Sequence, residues 1–275
     1  MQIYRGMDIA TAKPTAEEMR GVPHHLIGIV EPNERFSVAQ YASLAHAAIK
    51  DISQRGKLPI LCGGTGLYIQ AVTENLQLTE GETDHALRAQ LQQRDDWWLY
   101  EELRSIDPLA SARLHVFDRK RTIRALELYY TTGVTLTQQN QRSRRTPSPY
   151  DARMVVLNAR ERQLLYDRID RRVGNMLAMG LLEEAESKRQ EARSTAAQAI
   201  GHKELEPYFL GQCTLEEAVE QLKRETRRYA KRQLSWFRRA AREWNERSPG
   251  SCAELFLEDE DLLERALQFA CPLST

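Results

Sequence analysis

The sequence predicts an α/β fold with parallel strands, and three observations carry that expectation. Short apolar runs bounded by turn residues, Leu58–Cys62 and the stretch around "MVVLN", stand beside longer segments of helical period, the order expected of parallel strands joined by helices. A glycine-rich turn, "CGGTG", links the first run directly to a helical pattern. From His85 to Tyr130 the chain is charged, helical in period and without a strand pattern, so it reads as a helical insertion.

The elements follow in order. From Phe36 to Arg55, apolar residues recur at helical spacing through Val38, Tyr41, Ala42, Leu44, Ile49 and Ile52, and Gly56 ends the pattern. Leu58–Cys62 is then expected to be a buried strand, with a second helix from Leu67. The segment "TGVTLTQQNQRSRRTPSPYD" is polar and proline-punctuated and reads as a loop returning the chain to its main body. "ARMVVLNA" is expected to be a buried strand, and residues 160–192 one long helix or two, broken near Gly180. After a turn in "STAAQAIGHKEL", Thr214 to Glu246 is helical again.

At 275 residues the chain is long enough for one domain with a subdomain or for two small domains. Its formal net charge is zero, and no segment approaches the run of ~20 apolar residues that a membrane helix needs. The expectation is a soluble, cytoplasmic protein. Cys62, Cys213, Cys252 and Cys271 lie far apart and no histidine pair has metal-ligand spacing, so neither a zinc site nor a disulfide framework is predicted. A neutral total leaves nucleic-acid binding open, because binding follows where positive charges cluster.

Three stretches could carry chemistry. Gly63, Gly64, Thr65 and Gly66 would offer free N–H groups and a hydroxyl at a helix start, suited to an anion, or would make a tight turn and nothing more. In "FDRKRTIRALELYYTTG", Asp118 is placed to cap a helix whose first turns carry Lys120, Arg121 and Arg124. Cations are poorly placed against the positive end of a helix dipole, so a negative partner would compensate them unless they form a solvated face. In "LKRETRRYAKRQLSWFRRAAREW", Leu222, Tyr229, Trp236, Ala240 and Trp244 form an apolar stripe, with Arg227, Lys231, Arg238 and Arg242 on another face. Such a helix suits a phosphate backbone, a membrane surface or a partner protein.

Taken together, the motifs "QIYRGMDIATAKP", "VPHHLIGI", "GGTGLYIQA", "DRKRTIRALELYYTTG", "LYDRIDRRVGNMLAMGLLEEA", "QAIGHKEL" and "YAKRQLSWFR" closely resemble the tRNA dimethylallyltransferase (tRNA isopentenyltransferase) family over essentially the whole chain. The resemblance implies a P-loop-NTPase-like parallel-sheet core, residues 1–78 and 146–275, with a helical insertion domain at 79–145. It implies transfer of a dimethylallyl group from dimethylallyl diphosphate to N6 of the adenine 3′ of the tRNA anticodon, with magnesium (Mg2+) accompanying the diphosphate. The adenine would be flipped from the anticodon loop into a channel. Arg168 and Arg172 match the family's arginine pattern, Arg172 and Lys203 being assigned to the diphosphate. Thr65 matches a threonine near the reacting adenine. Contacts to the anticodon stem-loop fall to Gln2 and Thr65; to Lys120, Arg121, Thr122, Ile123 and Arg124; to Gln198, Ala199, Ile200, Gly201, His202 and Lys203; and to Lys231, Arg232, Gln233, Leu234, Ser235, Trp236, Phe237 and Arg238. A monomer is expected.

The sequence also departs from the family pattern. Gly28 stands where aspartate is usual, Ala10 replaces a glycine and His202 a tyrosine. The family's general-base aspartate and its P-loop would lie upstream of Met1. The expectations are therefore an enzyme lacking its N-terminal P-loop segment, impaired and marginally stable as given, or alternatively a non-catalytic tRNA-binding remnant. A nucleotide kinase of similar fold would leave the tRNA-type motifs unexplained.

Overall fold

A computed structural model describes residues 1–78, 84–189 and 196–271. Residues 79–83, where the insertion is expected to begin, and 190–192, the end of the expected long helix, lie outside the described residues. The chain divides into two compact units, one of Met1–Ile69 with Asp151–Thr275 and one of Gln70–Tyr150.

In the first unit, helix α1 (Val38–Gln54) begins where Ser37 Oγ accepts the Gln40 N–H and the Gln40 side chain returns a bond to the Ser37 N–H. Its buried face is small, Ala42 and Ala45. Leu58–Cys62 is not a strand: it is without ladder hydrogen bonds, Leu58 is 58% and Ile60 81% exposed, and among the described residues no strand pairs with it. An apolar run becomes a strand only when a neighbour takes its N–H and C=O groups, which a local pattern does not reveal. The glycine turn leads into α2 (Gly66–Thr73).

The expected second strand is present as β1 (Met154–Asn158). Its parallel partner, β2 (Cys252–Phe256), was not anticipated from sequence, and register runs from Met154 opposite Cys252 to Asn158 opposite Phe256. Between them the chain forms the long crossover that a parallel pair requires. The region after "MVVLN" contains two helices, α8 (Arg162–Ala178) and α9 (Leu181–Lys188), separated at Gly180, whose φ of +98° favours glycine. The short α10 (Glu206–Phe209) precedes α11 (Leu215–Arg247), which Thr214 and Glu217 start with a reciprocal capping box. Helix α12 (Leu262–Ala270) follows β2.

Two apolar clusters hold this unit. Val173 and Met176 of α8, Leu181 and Ala185 of α9, Leu205, and Ala218 and Leu222 of α11 form one, with Ile9 and Ala10 packed against it. Ile3, Tyr4, Met7, Val30, Ala196 and Ala199 form the other. The segment from Ile3 to Ala10 thus reaches both clusters.

The second unit is helical: the end of α2, then α3 (His85–Gln92), α4 (Asp96–Ile106), α5 (Pro108–Ser111), α6 (Arg119–Thr132) and α7 (Leu136–Ser143). Leu91, Leu99, Leu103, Ile123, Ala125 and Leu126 make its core. The polar stretch read as a loop contains α7, because Thr135 and Gln138 form a capping box and buried Asp107 accepts the Thr137 N–H at 2.8 Å and hydroxyl at 2.7 Å. Capping and tertiary hydrogen bonds outweigh a composition that looks loop-like.

Candidate functional site

The glycine turn lies directly under α11. Gln233 Nε2 donates to Gly64 O at 2.9 Å, and a Cβ placed on Gly64 would stand 1.8 Å from that nitrogen. A Cβ on Gly66 would stand 2.2 Å from the Trp236 ring. The Trp236 ring leaves room only for glycine at 66, whereas at 64 the end of the Gln233 side chain would have to move. Thr65 between them is exposed: its carbonyl accepts the N–H groups of Tyr68 and Ile69, while among the described residues its hydroxyl makes no hydrogen bond. Tyr68 stacks on Tyr41 of α1 with centroids 4.5 Å apart.

Helix α11 also grips α8, through Arg227 Nη1 donating to Asp170 Oδ1 at 2.7 Å. Six residues of helix separate Arg227 from Gln233, about 9 Å along the axis. One helix therefore bonds both the glycine turn and α8, the latter at Asp170; Arg168 and Arg172, two residues to either side of Asp170, lie together on another face of α8. Both arginines are exposed and neither has a hydrogen bond or ion pair among the described residues; neighbouring protein around the Arg172 guanidinium lowers its pKa from the ordinary arginine value. A partly desolvated cation without a carboxylate favours an anion beside it.

Charge pairing along α11 thins toward its C-terminal half, where Arg239 lies 3.5 Å from Glu243. In its first half, Lys223 pairs with Glu220, Arg228 with Glu225 and Arg227 with Asp170. Further on, Lys231, Arg232, Arg238 and Arg242 are exposed and among the described residues none is paired with a carboxylate. Lys231, Arg238 and Arg242 recur at i, i+7 and i+11, on one face. Ser235 is exposed beside them, whereas Leu234 and Phe237 are half-buried; Trp236 meets Phe237 edge-on at 4.8 Å.

The remaining expected site residues divide by burial. In α6, Thr122 Oγ1 donates to Asp118 O and Ile123 lies in the core, so Lys120, Arg121 and Arg124 are the side chains of that segment open to solvent. Arg121 is paired with its N-cap, Asp118. Between 198 and 203, Ala199, Gly201 and His202 are buried, Ile200 is half-buried, and Gln198 and Lys203 are exposed. Gln2 Nε2 donates to the carbonyls of Thr11 and Ala12 at 3.1 and 2.8 Å, folding the N-terminal segment back on itself.

A residue that sequence reasoning missed sits at the centre of that segment. Glu184, in the first turn of α9, accepts the N–H groups of Asp8 at 2.7 Å, Ile9 at 2.6 Å and Ala10 at 3.0 Å, and His202 Nε2 at 3.2 Å. Burial alone would raise its pKa; the bonds from His202 and from the three backbone donors outweigh burial and bring it down to about 2. The available signal was "GLLEEA", a pair of glutamates at a helix start, which capping also explains. Two of the departures from the family pattern meet here: Ala10 Cβ lies 2.9 Å from where a Cβ on Gly201 would be, and His202 is on the carboxylate itself.

Among the described residues no group of three or more His, Cys, Asp or Glu converges to hold a metal ion, so they do not by themselves make a magnesium site. None of the helices there is long and apolar enough to cross a membrane.

Comparison with known proteins adds to this geometry. The family model described as IPP transferase matches residues 2–240. A tRNA dimethylallyltransferase of Halalkalibacterium halodurans is 49% identical over 247 residues, 88% of this chain and 78% of the relative. One from Anoxybacillus flavithermus is 48% identical over 240 residues, 86% and 76% of the two chains. Among solved structures, a tRNA isopentenylpyrophosphate transferase of Bacillus halodurans matches with a TM-score of 0.66 at 42% identity, covering 98% of this chain and 83% of that one. A eukaryotic dimethylallyltransferase acting on tRNA matches with a TM-score of 0.79 at 29% identity, covering 97% and 69%.

Proposed function

Because the chain belongs to the IPP transferase family, we propose that it transfers a dimethylallyl group from dimethylallyl diphosphate to tRNA, at N6 of the adenine 3′ of the anticodon. The observation that supports this reading is α11 itself, which is bonded to the glycine turn through Gln233 and to α8 through Arg227, and which presents a row of cations with no carboxylate partner among the described residues. In the reaction the adenine nitrogen forms a bond to the allylic carbon, the bond from that carbon to the diphosphate oxygen breaks with its electron pair, and N6 gives up a proton to a base. The leaving diphosphate gains charge, and positive groups already in place lower the barrier without reorganisation. Arg172 supplies such a charge, with Lys203 as a second. Thr65, with its hydroxyl uncommitted, faces the adenine's neighbourhood. The cations of α11 and α6 take the phosphate backbone of the anticodon stem-loop. Magnesium would enter with the diphosphate and offset part of its charge.

Arg172→Ala tests the assignment. It is expected to lower kcat/KM for dimethylallyl diphosphate by about 100-fold, the scale of removing one charge-stabilising donor. Its KM for tRNA should stay within about twofold, since uniform binding of the other substrate is untouched. An unchanged kcat/KM would refute the role. Tight, salt-sensitive tRNA binding without transfer by the parent chain would favour a binding protein of this family over an enzyme.

A further inference from the structure

The Glu184 carboxylate joins two segments far apart in sequence. One is Asp8–Ala10, whose three successive N–H groups converge on it as a small anion nest. The other is the Gly201–Lys203 turn, through His202 Nε2. A carboxylate only accepts, so Nε2 carries the hydrogen, and among the described residues the buried Nδ1 is left without a partner. The Glu184 and His202 side chains are only 8% and 6% exposed, so no water shell substitutes for these bonds.

Each segment leads directly to a group assigned to a substrate above. Within the first, Thr11 Oγ1 donates to Met7 O and Lys13 N–H to Asp8 O, closing a turn whose Thr11 and Ala12 carbonyls hold Gln2. In the second, Lys203 follows His202 immediately, and its N–H is fixed on Ala199 O at 3.1 Å. Space is closed as well as bonded. A Cβ on Gly6 would meet Lys188 Cε at 2.7 Å, and Gly201, with φ +105°, is pressed by Ala10. The N-terminal turn is thus seated on α9 and packed closely against the 201–203 turn where Ala10 meets Gly201, while at Gly6 only the end of the Lys188 side chain stands in the way.

We propose that Glu184, with His202, is a positioning residue that holds the Gln2 segment and the Lys203 turn in one fixed relation, so that the tRNA side and the diphosphate side of the site are set by a single carboxylate. The inference rests on the functional reading for the roles of Gln2 and Lys203, and on the geometry alone for the clamp. Neither Glu184 nor His202 needs to touch a substrate.

The clamp gives a signature that a purely structural role does not. Glu184→Gln keeps the shape but turns an acceptor toward a donor, opposing at least one of the bonded N–H groups. Loss of charge-assisted hydrogen bonds of this kind predicts about a tenfold weakening of binding to both unmodified tRNA and inorganic pyrophosphate. In transfer assays both KM values should rise by a similar factor, with kcat within about threefold of the parent. A role limited to stability lowers the amount of active protein and leaves both KM values where they were. His202→Phe removes one donor at similar volume and should weaken both by about threefold, and it is the variant to read where Glu184→Gln does not fold. Weakening of one ligand alone, of neither, or absence of binding of both probes by the parent chain would overturn the proposal. A parent chain that binds both probes but transfers nothing would overturn the functional reading and leave the clamp to be judged on the two affinities.

Discussion

Replacing Gly66 with alanine puts a methyl group into the Trp236 ring, while the same change at Gly64 meets only the end of the Gln233 side chain. Overpacking against an aromatic ring typically costs about 1–3 kcal/mol, whereas a displaced amide loses a hydrogen bond of about 1 kcal/mol. Gly66→Ala is therefore expected to be the more destabilising of the two in urea unfolding, and the reverse order would refute the packing described. Glu184 makes a second case. Its folded pKa of about 2 lies below the ordinary 4.5, so the unfolded chain binds the proton more tightly. The contribution is complete above about pH 4.5 and is lost as pH falls toward 2, up to about 3 kcal/mol in all. The stability gap between the parent chain and Glu184→Gln should shrink across that window; a gap that stays constant would contradict it. The sequence made Gly64, Thr65 and Gly66 legible as a special turn, because glycines before a helix have few other uses. It did not make Glu184 legible, because its four partners come from positions 8–10 and 202, which only the folded chain brings together.

Among the elements, α11 was readable from sequence because a 33-residue helix with opposed apolar and basic faces has a strong period. Which of its cations are neutralised was not, since that depends on Asp170 of another helix and on glutamates one turn away. The distinction is testable. Lys231→Ala, Arg238→Ala and Arg242→Ala together should weaken tRNA binding and flatten its dependence on salt by about 0.7–0.9 per lost phosphate contact. Arg227→Ala, which breaks the ion pair to Asp170, should instead lower stability with little change in the salt slope. Equal slopes for the triple variant and the parent would place the nucleic acid elsewhere. Leu58–Cys62 and α7 failed as sequence readings for opposite reasons. The first has the composition of a strand without a ladder partner, and the second has the composition of a loop but a reciprocal capping box and an acceptor in Asp107. β2 escaped notice because five residues with one buried position, Leu255, give too little alternation to read.

At the scale of the whole molecule, a net charge of zero coexists with a basic helix face because charge is summed over the chain: an ion pair such as Glu127 with Arg88 cancels itself, and the exposed cations of α11 are balanced by carboxylates elsewhere in the sequence. Total charge is thus a poor guide to partners, and local pairing a better one. Family membership and the helical character of residues 85–130 were legible in the sequence. The sequence places a helical insertion at 79–145, and packing divides the chain at Ile69/Gln70 and Tyr150/Asp151. The central claim is that this chain prenylates tRNA, and the most direct measurement is nucleoside analysis of unmodified tRNA after incubation with the chain, dimethylallyl diphosphate and magnesium. The account predicts dimethylallyl-N6-adenosine at the position 3′ of the anticodon. Unmodified adenine there, in tRNA that the chain demonstrably binds, would contradict it.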